Sequence, residues 1–490
     1  MWEEEGSQLI FFFDGESLMT TKREKYFRMS VAATMVAFGC VASPPGRAAD
    51  VTFTGPGVLA WESTANWVGG SLPTASDVAV FTQTAGATEP TINAAYTVQG
   101  LRFTNTGSTL IRGASRQFLT IGSAGITVDA GGGAATVGSN LASANRIGVI
   151  LAANQAWTNN STSLLRKEQG GMPNPSPVTN LQNFTLTYAG SGPIEHGGSI
   201  GGTGGSLVKN GSGTTTVFGG NTFTGGVTVN AGTLLIDDNA AFGTGAVTIN
   251  GGGIGSVGNR SPTNAMTWAG NFSVEGAGQL TSSGAITMTG GGRTVAVNAG
   301  SFTVNGAIAD GGGGLGLTKT GPGVLVLGGA NTYTGPTNVS AGVLAVSGNQ
   351  SAATGLITVE STAALAGLGT TGGGLTFNSG SGIVFGQTGL TVTGTTSFAG
   401  SFGIANIIGL DSSAADGDYQ LIAGGIDATN LQNVGLANAA DLGGGKQAFF
   451  TTSGPGLSVS VVPEPAVSLA AAAGLAAAAG FWLRRRPGSV

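Results

Sequence analysis

Between Asp50 and Val461 the apolar residues do not recur at helical spacing. They alternate with polar residues, or run together, for three to five positions at a time. Segments 214–218, 227–229 and 233–236 show this, and each is predicted to be a short strand. Gly-Ser-Gly, Gly-Gly-Asn and Asn-Ala-Gly separate them. Glycine at such corners supplies positive φ or close backbone approach. The same pattern echoes as Ala-Val-Thr-Ile-Asn at 246–250, Ala-Ile-Thr-Met-Thr at 285–289 and Leu-Ile-Thr-Val-Glu at 356–360.

One stretch is plainly duplicated. Residues 207–236 align without gaps to 317–346, with 13 of 30 positions identical. The shared residues include Lys209/Lys319, Gly211/Gly321, Asn221/Asn331, Gly232/Gly342 and Leu234/Leu344. Asn-Thr-Phe-Thr-Gly in one copy and Asn-Thr-Tyr-Thr-Gly in the other put a polar turn around one inward aromatic, Phe223 or Tyr333. A single coil of such strands has nothing to bury its apolar face against. Stacked coils bury it and pair their backbone edges. An all-β solenoid with coils of about 20–25 residues is therefore expected. Lys209 and Lys319, recurring at one repeat position, are expected to have a structural place in the coil.

Composition agrees. The chain has 490 residues, 90 of them Gly, and only 9% are charged. Hydrophobic residues make up 41%, too many for a polar disordered tract. Between Asp50 and Pro463 there are 17 acidic and 11 basic residues, which leaves no nucleic-acid footprint. The single cysteine, Cys40, and the single histidine, His196, offer no disulfide framework and no zinc site. His196, in Pro-Ile-Glu-His-Gly-Gly, reads as an exposed turn residue. Asp237-Asp238 is a poor hydrolytic pair, because adjacent side chains diverge on a strand or share a turn. Asp411, Asp416 and Asp418 read as a polar loop, with weak calcium binding left open. No catalytic, cofactor-binding or metal residue is assigned. A carbohydrate-active β-helix enzyme, a polysaccharide lyase or hydrolase, stands as the alternative to a structural or adhesive role.

Both ends read as addresses. Lys22, Arg23, Lys25 and Arg28 precede an apolar run, 31–41, and a small-residue exit at Ala48-Ala49. This is the layout of a secretory signal peptide, so 1–49 is read as leader and signal. At the other end Val462-Pro463-Glu464-Pro465 precedes an apolar run, 466–483, and then Arg484, Arg485 and Arg486. Eighteen helical residues span about 27 Å, enough to cross the hydrocarbon of a bilayer, and the arginines would stay in the cytoplasm.

The three-part tail resembles the PEP-CTERM sorting signal. That resemblance implies handling by an exosortase-type enzyme in a Gram-negative bacterium that makes extracellular polysaccharide. It also implies transient anchoring in the membrane before release to the cell surface or matrix. The duplicated block resembles the autotransporter-associated β-strand repeat, whose proteins carry adhesin-type passenger domains. A right-handed parallel β-helix is what this second resemblance implies. The expected organisation is a signal (1–49), an N-terminal β cap (50–107), a solenoid (108–390), a C-terminal β cap or small β domain (391–461) and a sorting signal (462–490). Segment 166–180, with three prolines, is expected to leave the solenoid as a surface loop.

Overall fold

In the computed structural model the described residues are 48–464, apart from 56, 84–86, 115–116, 140–145, 169–177, 387–388, 453 and 455. They wind into an all-β parallel solenoid, and no α-helix occurs among them. The expected signal peptide and the apolar run 466–483 lie outside the described residues. Among the described residues no helix is long and apolar enough to cross a membrane.

The strands of successive turns stack as three faces, the third running from Leu280 to Ile408. On the first, Leu207 stands opposite Val227 and Val227 opposite Val247, so one turn takes 20 residues there. On the second, Thr215 stands opposite Leu234 and Leu234 opposite Ile254. On the third, Leu280, Phe302, Leu325, Leu344 and Leu365 form one file. Some early turns are longer: Ile126 faces Trp157, 31 residues on. The added residues lie between strands and leave the ladder continuous.

Period-two alternation makes the core. Along the first face the inward file runs Leu101, Ile126, Trp157, Tyr188, Lys209, Val229, Ile249, Trp268 and Met288. Every one of them is buried. Parallel stacking keeps like positions in contact from turn to turn, so a strand of three residues suffices.

The two copies of the repeat do not sit on the same faces. Strand Ser206–Lys209 belongs to the first face and Thr214–Val217 to the second. In the second copy Leu317–Thr320 lies on the second face and Val324–Leu327 on the third. Within each copy the internal pairing is preserved: Leu207 faces Val227, and Leu317 faces Thr337. The motif has therefore moved one face round the solenoid between copies.

At the N-terminal end Phe53, Trp61, Trp67, Phe81 and Phe103 are all buried in one cluster. The Trp67 ring centroid lies 4.9 Å from Phe53 and 4.8 Å from Trp61. An antiparallel bridge between Phe53 and Trp67 lays residues 66–68 over part of the outer edge of strand Ala49–Phe53. Covering an exposed edge in this way protects it from pairing with other chains. At the other end Gly417–Ile426, Lys446–Thr451 and Gly456–Pro463 pair antiparallel, which ends the parallel stack.

The ends of segment 166–180 differ from expectation, while 169–177 lie outside the described residues. Leu165–Lys167 is a ladder strand with Lys167 buried, and Thr179–Asn180 is a strand paired with Ile200–Gly201. The charged Arg-Lys-Glu run suggested solvent. In fact alternation turns Lys167 inward, where Nζ donates to the Glu168 carbonyl at 2.9 Å.

Candidate functional site

The repeated residues meet at the corners between faces. Lys319 is fully buried, and its Nζ donates to three carbonyls: Thr320 at 2.8 Å, Gly321 at 2.8 Å and Ala341 at 3.0 Å. The first two belong to its own corner and the third to the corner of the next turn. Lys209 does the same with Gly211 and, at 3.3 Å, Ala231. One ammonium thus ties two successive corners, which is the structural place expected for this position. Burial lowers both amines to about 8.

The other shared residues serve the same stack. Asn331 Oδ1 accepts from Ile308 N at 2.8 Å in the turn before, and its Nδ2 donates to Gln350 Oε1 in the turn after. Asn221 bonds Ile200 N and the Ala241 carbonyl in the same way. Phe223 and Tyr333 point inward, and Tyr333 Oη lies 2.7 Å from Thr337 Oγ1. Asp310 clasps the Gly311–Gly314 corner through Gly312 N and Leu315 N and reaches Thr334 N. These backbone bonds, Thr334 first, hold its carboxyl at about 2.

His196 is not exposed. It is fully buried, inward on strand Ile194–His196, with Lys167 beside it in the previous turn and Val217 in the next. Its ring stacks on Trp157 at 4.8 Å, Nε2 lies 2.8 Å from Thr179 Oγ1 and Nδ1 lies 2.7 Å from Tyr188 Oη. Burial, and then the charge of Lys167, push its pKa well below the usual value of 6.5. The folded state therefore takes up the imidazole proton less readily than the unfolded chain. Stability from this group is intact above about 6.5 and falls as pH drops below it. A urea midpoint that declines on acidification from pH 6.5, and declines less in His196→Gln, is the expected result. Identical pH slopes for the two proteins would refute it.

The carboxylates singled out in the sequence are engaged separately, whereas Glu168 and Glu195 share Arg166 and Asp50 and Asp129 share Arg102. Asp237 pairs with Arg260, whereas Asp238 accepts from Ala240 N at 2.8 Å. Asp411 holds Ser413, Asp416 lies 3.3 Å from Lys446 Nζ, and Asp418 accepts from Ser460 Oγ. Among the described residues no three His, Cys, Asp or Glu side chains are grouped to hold a metal ion. Of the tail motif, Val462 and Pro463 end the last strand and Glu464 N donates to the Gly445 carbonyl at 2.8 Å. Pro465, Arg484, Arg485 and Arg486 lie outside the described residues.

Between 261 and 410 the solenoid offers little charge to solvent. Residues 261–410 contain five charged side chains, Glu275, Arg293, Asp310, Lys319 and Glu360. Three of these, Arg293, Asp310 and Lys319, are buried. Outward positions on the first face carry the threonine file Thr228, Thr248, Thr267 and Thr287. Beside it Asn250 donates to Asn230 at 2.7 Å and Asn230 to Asn210 at 2.6 Å. Such a surface can hydrogen-bond a partner but has little charge with which to attract one.

Comparison with known proteins agrees with this picture. The Passenger-associated-transport-repeat family matches residues 207–236 and 317–346, the two copies whose corners are described above. A stretch of 74 residues is 46% identical to the Adhesin BmaC autotransporter of Brucella suis biovar 1 (strain 1330). That stretch is 15% of this chain and spans 2% of the relative. No solved structure matches the chain.

Proposed function

We propose that this is an exported surface or extracellular-matrix repeat protein with a structural and adhesive role. The observation that carries the reading is the repeat itself, whose recurring lysine and asparagine are spent inside the stack. The lone histidine and the repeat lysines are buried, and the partly exposed carboxylates Glu168, Glu195 and Asp129 are neutralised by arginines, which supports a non-enzymatic role. The similarity to an adhesin over a short stretch supports adhesion, and the sparsely charged surface of 261–410 suits an extracellular polysaccharide as partner. A right-handed winding, an N-terminal signal peptide and a PEP-CTERM tail read by an exosortase-type enzyme belong to this reading. Anchoring by 466–483 would be transient.

Fractionation of native cells with mass analysis of the terminal peptides tests it. The expected outcome is protein in the surface or matrix fraction, with its C-terminus near Val462. Peptides containing Phe481 to Arg486, found only in an inner-membrane fraction, would overturn it.

A further inference from the structure

Three successive turns build an open recess of about 490 Å³ beside strands Thr179–Asn180 and Ile200–Gly201. Strands Thr179–Asn180 and Ile200–Gly201 pair there and are only two residues long. Beyond them Gln182 takes φ +56°, its N–H held by Asn180 Oδ1 at 2.9 Å. Gly202, at φ +134°, passes so close that a Cβ would lie 2.6 Å from the Gln182 carbonyl. The next turn enters through Thr222, whose N–H donates to the Ile200 carbonyl at 2.8 Å.

Asn180, Gln182, Asn183, Thr203 and Thr222 line this recess, with bare backbone at Gly201 and Gly202. Among the described residues the side chains of Gln182, Asn183, Thr203 and Thr222 make no hydrogen bond. Carboxamides and hydroxyls present donors and acceptors together. The lining holds no charged residue and no apolar side chain. A partner matched to these groups is uncharged and rich in hydroxyls.

We propose that this recess binds a neutral saccharide, either a free oligosaccharide or a residue within a longer polymer. The proposal rests on the surface-adhesion reading and names a ligand class and place for it. Binding by neutral dipoles is little screened, so it is insensitive to salt.

The test is titration calorimetry of the full chain with cellohexaose and dextran, and with alginate as the acidic counterpart. Wild type is expected to bind a neutral glycan equally well at low and high salt, and alginate no better. The double substitution Gln182→Ala with Asn183→Ala is expected to weaken binding about tenfold, the effect of one or two lost hydrogen bonds. Thr203→Trp, which fills the recess from an exposed position, is expected to abolish it. If both variants bind as wild type does, glycan binds elsewhere: the recess proposal falls and the surface reading stands. If wild type binds no neutral glycan, or prefers alginate with strong salt dependence, the recess proposal is overturned. The surface reading is then decided by the fractionation experiment alone.

Discussion

Gly342→Val is expected to lower stability by more than about 4 kcal/mol, with the loss concentrated in the turns around 317–346. Gly342 sits at φ +67°, and a Cβ there would lie 2.5 Å from the Gly321 carbonyl oxygen and 2.6 Å from that of Gly323. Left-handed backbone costs an L-residue roughly 1–2 kcal/mol by itself. The clash adds more, because the atoms struck are backbone of the turn below and cannot rotate away. Gly232 in the other copy has the same geometry, with φ +65° and the Gly211 oxygen at 2.1 Å. Gly131 is the control: φ is +76°, but nothing lies within 4 Å. Gly131→Ala should cost only the conformational term, about 1 kcal/mol. Urea unfolding with hydrogen exchange read along the chain distinguishes the cases. A Gly342→Val protein with wild-type protection at 317–346 would show that the corners are not close-packed.

Much of this corner was legible beforehand. Alternation gave the strands, and thirteen identities in thirty positions gave the repeat. The recurrence of Lys209 and Lys319 at one position pointed to a structural role, and the inward aromatics Phe223 and Tyr333 followed from the polar turn around each. What escaped was always a relation between turns. His196 looked exposed because its neighbours in sequence are turn residues. The groups that bury it, Trp157, Thr179 and Tyr188, arrive from other strands of the stack. Lys167 was missed for a related reason, since a charged triplet outweighed the alternation that turns it inward. The one-face shift between copies was invisible too. It depends on the summed lengths of all intervening turns, and loop residues change those lengths without leaving a periodic signal. The recess at Gln182 needs Gly202 and Thr222 from later turns, so no local motif announces it.

Lys319→Ala is the second large effect expected, about 3–5 kcal/mol, made up of lost hydrogen bonds and an unfilled space. Nζ serves three carbonyls across two corners, and those corners are half-buried, so water can replace only part of the bonding. Lys319→Met separates the two components. It restores most of the volume but no donor, and should cost about 2–3 kcal/mol, the price of carbonyls left without partners. A purely packing role for Lys319 predicts instead that methionine is nearly neutral, and that outcome would remove the ammonium from the account of the repeat. The pH dependence supplies an independent check. The folded-state pKa is about 8 against 10.5 for the free side chain. Between these values the unfolded chain binds more protons than the folded one, so wild-type stability rises as pH climbs through the interval. Lys319→Met should show a shallower rise, with Lys209 and Lys167 supplying what remains. If the rise is unchanged in the variant, the Lys319 amine is not held in a desolvated corner.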